Sequence, residues 1–237
     1  MEPLRELHSG QLWVAEQPLR VGLFELGRRM TVVRLADGSL FLHSVAGLTQ
    51  PLRAAIDLLG PVRFVVSPNK FHHRYMEQYA STYPHAELIA SPGLPAKRAD
   101  LSFGATLGSE PDPRWAAELD QTLFDGSRFV TEVDFHHPSS RTLILTDLCF
   151  NIGPDRPLAT QVLARALGGY RRLAVTRSLR ITLRDPTAAR ASLARILRWD
   201  FDRVIVGHGD IVESGGKAAF RQAFAWLEPT PLEPARG

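Results

Sequence analysis

The chain has a single cysteine, Cys149, among its 237 residues. One thiol cannot close a disulfide within the chain, so nothing here supports the disulfide-stapled secreted classes. Long apolar runs are also missing. No stretch reaches the roughly 18 residues a membrane-spanning helix requires. The opening Met1-Glu2-Pro3-Leu4-Arg5-Glu6 lacks the apolar core of a secretory signal. Charge of one sign is scarce: 28 Lys and Arg stand against 25 Asp and Glu, a formal surplus of +3. That surplus is too small to imply a nucleic-acid partner. The local group Arg171, Arg172, Arg177, Arg180 and Arg184 reads as a solvated face rather than an anion patch. There is no HExxH or CxxC pattern, no internal repeat and no low-complexity segment. The expectation is a cytoplasmic protein that meets neither nucleic acid nor membrane. Its expected partner is a small-molecule, anionic substrate, with a homo-oligomer left open.

What is present fits one sizeable core. Hydrophobic residues make up 44%, enough for a single domain over residues 1–227, with residues 228–237 as a flexible Pro-rich tail. Period-2 and short apolar runs mark strands at residues 12–15, 20–25, 30–35 and 40–43. Ala36-Asp37-Gly38-Ser39 forms the tight turn between the last two. Residues 49–59 have helical spacing, with Leu52, Ile56 and Leu59 on one face, and Gly60-Pro61 ends the run. A β-branched run at 62–66 predicts a buried strand, followed by the loop Ser67-Pro68-Asn69-Lys70 and a helix over 73–83. A short strand at 88–90, two strands around Asp125-Gly126 and a strong strand at 142–148 come next. Asp185-Pro186 opens a helix to about Trp199. A strand at 203–206, the loop Gly207-His208-Gly209-Asp210 and a helix over 217–226 complete the reading. This order predicts an α/β protein with helices covering its sheets.

Three polar groups fall just past predicted strands: His72-His73, Asp147 and His208. His136-His137 precede the strand at 142–148. Loops at strand ends are where α/β proteins place ligands and catalytic groups, and imidazole with carboxylate suits zinc, iron or manganese. Gly207 and Gly209 let the chain bend around His208. From residue types alone, satisfied buried polar residues compete with metal ligands as the explanation. Cys149, inside an apolar run, reads as a small core residue.

Several segments carry a resemblance. Val65-Val66-Ser67-Pro68-Asn69-Lys70-Phe71-His72-His73 resembles a degraded form of the THxHxDH signature of the metallo-β-lactamase superfamily. His137-Pro138-Ser139-Ser140-Arg141-Thr142 resembles its HTPGHT segment. Leu145-Thr146-Asp147-Leu148 is similar to its FTGDLLF segment, and Val206-Gly207-His208-Gly209 to its final PGHG loop. The order matches from about Leu12 to Trp226. The PNKFHH and SRTLILTDL stretches resemble the DUF4336 subgroup. The resemblance implies a four-layer αββα sandwich, metallo-β-lactamase-like, with the metal at one edge.

In the signature, Pro68 and Lys70 stand where the first two His belong, and His72 stands for the Asp. The resemblance therefore implies one divalent metal rather than two, zinc ahead of iron or manganese. Its ligands would be His72, His73, Asp147 and His208, with His137 or His136 as a further ligand or neighbour. Lys70 would put an ammonium near the vacated metal position, and Asp147 would manage protons. Ser140 and Arg141 are the substrate-binding candidates. The implied activity is metal-dependent hydrolysis with metal-bound water as nucleophile. The alternatives are an inactive scaffold on the same fold and a non-haem iron redox protein.

Overall fold

The computed structural model describes residues 3–127, 131–175 and 177–227. The chain opens with β1 (Arg5–His8) and β2 (Leu12–Gln17), a small hairpin of β3 (Arg20–Val21) and β4 (Phe24–Glu25), then β5 (Arg28–Arg34) and β6 (Leu40–His43). Next come α1 (Gln50–Leu59), β7 (Val62–Val66), α2 (Met76–Thr82), β8 (Glu87–Ala90), α3 (Leu94–Lys97) and β9 (Ala105–Thr106). The second part holds β10 (Asp120–Phe124), β11 (Glu132–His137), β12 (Thr142–Ile144), α4 (Leu158–Leu167), α5 (Arg177–Thr182), α6 (Pro186–Arg198), β13 (Arg203–Ile205) and α7 (Gly216–Phe224).

Two sheets stack. The first has seven strands in the order β1-β2-β5-β6-β7-β8-β9, and the second runs β10-β11-β12-β13. Side chains alternate across each strand, so each sheet serves two cores. Val14, Val33, Phe41 and Phe64 of the first sheet meet Val133, Phe135, Ile144 and Ile205 of the second in one shared cluster, with Trp115 among them. The opposite face of the first sheet packs Val32, Leu42 and Val65 against Leu52 and Ile56 of α1 and Met76 and Tyr79 of α2. The opposite face of the second packs Leu143 and Val204 against Leu193 and Ile196 of α6 and Phe220 and Phe224 of α7. The layering is αββα, as the motifs implied. Burial drives it, at about 1.5–3 kcal/mol for each large apolar side chain removed from water. Cys149 is a fully buried member of the α6–α7 core.

Local signals behave as expected where side chains engage the backbone. Asp37 Oδ1 accepts from both the amide and the hydroxyl of Ser39, at 2.9 and 2.6 Å, fixing the β5–β6 turn. Thr49 caps α1 by accepting from Leu52 N. Asp185 caps α6, accepting from Thr187 N and Ala188 N at 2.9 Å each, with Pro186 at the first helical position.

The differences have local causes. Residues 20–25 are a hairpin rather than one strand, because Gly22 turns the chain with φ 58°. The strand expected from 30 begins at Arg28, adding two buried arginines to its start. The helix expected from 73 begins at Met76. The strand expected to reach 148 stops at Ile144, since a carboxylate described below captures the amides that follow. Helices α4 and α5 cover residues 158–167 and 177–182. The expected tail at 228–237 lies outside the described residues. Among the described residues no helix is long and apolar enough to cross a membrane.

Removing the α6 cap should be costly for a surface change. Asp185→Ala is expected to lower stability by about 1 kcal/mol, read from the urea midpoint at unchanged slope.

Candidate metal centre

The C-terminal ends of β7, β12 and β13 deliver three side chains to one place. His72, Asp147 and His208 each offer a donor atom, and these atoms lie within 4.8 Å of one another. His208 Nε2 is 3.1 Å and His72 Nε2 3.3 Å from Asp147 oxygens. Both imidazoles are buried, and Asp147 is only 14% exposed.

Each side chain is held from behind. His208 Nδ1 lies 2.6 Å from the carbonyl of Gly27. A carbonyl can only accept, so Nδ1 carries the proton and Nε2 presents its lone pair inward. His72 Nδ1 lies 2.5 Å from Ser44 Oγ, and that hydroxyl donates to Arg29 O at 3.1 Å. With its proton spent, Ser44 accepts from Nδ1–H, and His72 takes the same tautomer. Two lone pairs thus face a carboxylate. Burial alone would raise the Asp147 pKa; with protons rather than a cation on the two Nε2 atoms, the imidazolium charges and hydrogen bonds of His72 and His208 outweigh burial and hold this carboxyl well below its usual range.

The loop carrying His208 is clamped by Arg29, which donates to Val206 O at 2.5 Å and Gly209 O at 2.6 Å and pairs with Glu16 at 2.8 Å. Gly207 packs so closely that a Cβ there would sit 3.1 Å from His72 Cε1 and from Thr146 Cα. Gly209 has φ 93°, a conformation that favours glycine. The stacked ring of Phe150, 5.4 Å away, completes the seat of His208.

Asp147 is placed by Glu132, a fully buried residue at the start of β11. Its carboxylate accepts from Thr146 N and Asp147 N at 2.7 Å, Leu148 N at 3.4 Å and Thr146 Oγ1 at 2.5 Å. Captured amides cannot join a ladder, which is why β12 ends early. Asn69 ties the other wall to it: Nδ2 reaches Glu132 at 2.8 Å and Asp147 Oδ2 at 2.9 Å, while Oδ1 accepts from His72 N at 3.0 Å. Two residues further along β11, the buried carboxyl oxygens of Asp134 have no hydrogen-bond partner assigned among the described residues. Burial, with the nearby Glu132 charge, raises its pKa well above the usual carboxylate range.

The remaining expected site residues lie elsewhere. His73 contacts Arg98 at 3.1 Å and stands outside the donor cluster. Burial and the charges of Lys97 and Arg98 lower its pKa. His137 does not join the cluster either. β11 pairs antiparallel with β12, setting His137 opposite Thr142 at the end of β12 remote from Asp147. There it contacts Ser140 Oγ at 2.7 Å and Ser139 Oγ at 3.3 Å. Ser140 and Arg141 share that remote end. Arg141 makes a two-pronged pair with Asp200, 2.9 Å at each contact. His136 bonds Asp120 and Asp200 O at 3.0 Å each and stacks on Trp199. Lys70 runs along Gly93, and its carbonyl accepts from Lys97.

Glu132, Ser44, Asn69 as a positioning residue, and the Arg28-Arg29 pair are absent from the sequence-based site. Glu132 and Asp134 did leave a signal: two acids alternating with the apolar Val133 and Phe135. So did two arginines running directly into the apolar run Met30–Val33.

The family model described as a domain of unknown function, DUF4336, matches residues 9–177. No curated protein matches the chain in sequence. Solved structures match closely in shape. A metallo-β-lactamase from Pontibacter korlensis superposes with TM-score 0.65 at 13% identity, covering 94% of this chain and 97% of that one. The FIM-1 metallo-β-lactamase of Pseudomonas aeruginosa, in a mono-zinc form, gives 0.62 at 13%, covering 95% and 96%. A metal-soaked Flv1 flavodiiron core from Synechocystis gives 0.64 at 12%, covering 94% of this chain and 60% of that one. The chain has the metallo-β-lactamase fold.

Two outcomes follow from this geometry. Glu132→Gln is nearly isosteric but turns an amide NH2 toward backbone N–H groups. It should destabilise by roughly 3–5 kcal/mol in urea unfolding. The second concerns acid. Burial lowers the pKa of His137 to about 4 and of His43 to about 3. Both folded values fall below the ordinary value of about 6.5. The stability they allow is fully present above about pH 6.5 and is lost as pH falls toward 4, because the unfolded chain binds those protons first. Unfolding free energies between pH 7.5 and 4.5 should decline, and His137→Gln should flatten the decline.

Proposed function

The chain belongs to the DUF4336 family, and we propose that it is a metal-dependent hydrolase whose single ion is held by His72, Asp147 and His208. The observation that carries this reading is the enforced tautomer of both histidines. Gly27 O and Ser44 Oγ take the Nδ1 protons, so two Nε2 lone pairs and a carboxylate point at one another. Three acceptors in contact repel unless a cation sits among them. Protons alone would meet the need only by burying two imidazolium charges beside one carboxylate. Two imidazoles and a carboxylate are a common catalytic donor set that leaves positions open.

A divalent ion supplies Lewis acidity, by which water becomes acidic enough near neutral pH to attack an ester, amide, thioester or phosphoester centre. The protein's own contribution is positional. Glu132 and Asn69 fix the carboxylate of Asp147. Ser44 and Gly27 fix the imidazoles, the support from behind that typically governs metal affinity. Phe150 excludes water from one side of His208. The set holds three protein donors rather than the four first expected, and zinc is the ion this reading favours.

A second reading has its own support. Two histidines and one carboxylate with open positions also suit non-haem iron, and a flavodiiron core is among the structural matches. The protein would then be a redox enzyme with an optical or paramagnetic iron signal.

One experiment addresses both. Untagged protein is reconstituted separately with zinc, iron and manganese, and its metal content is measured by mass spectrometry. About one ion per chain is expected, with a raised melting temperature, since a ligand of the native state must stabilise it. Asp147→Asn and His208→Ala should remain folded and lose the ion. No retained ion and an unchanged melting temperature would overturn the reading in favour of a metal-free scaffold.

A further inference from the structure

Arg28 opens β5 with its side chain 6% exposed. Among the described residues its Nε and Nη2 are buried with no hydrogen-bond partner. A buried guanidinium edge left unpaired is costly, and native proteins rarely keep one without use. The neighbouring Arg29 shows the contrast, since its guanidinium is engaged by Glu16, Val206 O and Gly209 O.

The two free groups share one edge of the guanidinium. Arg141 uses that same edge, Nε with Nη2, to grip both oxygens of Asp200 at 2.9 Å. Paired N–H groups so arranged match a carboxylate or phosphate. The ring of Tyr75 lies 5.0 Å from the guanidinium carbon and faces it as a cation–π partner. Arg28 also lines a cleft of about 200 Å³ with Arg29, Arg156, Gly207 and Gly209, so the cleft abuts the His208 loop. Glu16 and Glu25 lie on its wall, but Glu16 is neutralised by Arg29 at 2.8 Å, and Glu25 lies 4.0 Å from Arg156. Arg28 is close enough to Asp147 for that charge to act on it, against a burial that disfavours the cation.

We propose that Arg28 is the substrate anchor: its unpaired Nε–Nη2 edge, shut off from solvent, turns toward a carboxylate or phosphate group that enters the cleft beside the His208 loop and binds it side-on. The substrate is then an anionic molecule whose oxyanion sits next to the bond to be cleaved. Lys70, over Gly93, is not needed for that task. What happens to the substrate rests on the hydrolase reading; the binding of the anion does not.

The test is calorimetric titration of inorganic phosphate and of acetate into the protein, as purified and after chelator treatment, with metal content measured in parallel. Binding of phosphate identifies a phosphate-type group, and binding of acetate a carboxylate-type one. Arg28→Met is expected to weaken whichever anion binds by at least about tenfold, since two charge-assisted hydrogen bonds are lost. Arg28→Lys keeps the charge but not the fork and should fall between. Arg28→Met should keep its metal and melt no lower than the parent without anion, because an unpaired buried charge has been removed. A residue needed only for structure would lower the melting temperature. If Arg28→Met fails to fold, the Arg28→Lys titration decides. Parent-like binding in the variant, or binding of neither anion by the parent, overturns the proposal. Anion binding that depends on Arg28 in a protein that takes up no metal leaves the proposal standing and removes the hydrolase reading.

Discussion

The carboxylate of Glu132 is the contact on which the edge of the sandwich depends. It sits at the start of β11, fully buried, and draws in three consecutive amides from residues 146–148. Without it those amides would extend β12 alongside β13, and Asp147 would follow the pleat of a regular strand. The captured turn instead directs Asp147 toward two histidines from other loops. Asn69 carries the constraint across to the first sheet, bonding Glu132 and Asp147 through one end and the His72 amide through the other. One buried anion therefore sets the relative positions of two donors that are 75 residues apart in sequence.

The third donor is set independently. Arg29 grips Val206 O and Gly209 O, so the charge that holds the His208 loop comes from β5 of the first sheet while the loop follows β13 of the second. The backbone joins the same two places, Arg29 N donating to Gly207 O at 2.9 Å. The donor cluster spans the junction between sheets. Its geometry should be as rigid as the sandwich, because both imidazoles are bonded to the edge of the first sheet, through Ser44 and Gly27, and Asp147 is bonded to Glu132 of the second.

Much of the architecture could be read from the sequence, because alternation and caps act locally. Asp37, Thr49 and Asp185 each engage an amide two or three residues away, and all three were recognisable. Of the site, the donors His72, Asp147 and His208 could be read from motif order. His137 misled because its motif neighbour, the 142–148 strand, runs away from it. A histidine at the start of that strand and an aspartate past its end lie at opposite edges of a sheet, whatever their spacing in sequence. Glu132 and Ser44 were not legible because their roles depend on contacts with residues 14 and 28 positions away, and Arg28 because the charge it feels from Asp147 comes from 119 positions away. Hydrophobic periodicity carries no information about such pairs.

Some of the buried polar atoms without partners among the described residues lie at this edge, those of Arg28, His43 and Asp134, while Arg34 Nε and Trp226 Nε1 lie elsewhere. Glu132 and Asp134 share one face of β11, two residues apart, where two adjacent buried negative charges would repel strongly. Glu132 accepts from the amides and Asn69; Asp134 has no such donors among the described residues, and burial, with the Glu132 charge, pushes it toward its neutral form. His43, next to the Ser44 that steadies His72, is likewise buried, its Nε2 without a partner among the described residues, and burial holds it neutral. A core selected for stability alone would replace Asp134 and His43 with apolar residues of similar size. Their presence beside Glu132 and Ser44, together with the unpaired edge of Arg28, places unfavourable burial next to the cluster of donors. That is the pattern expected where a fold has given up stability to hold a reactive site in place.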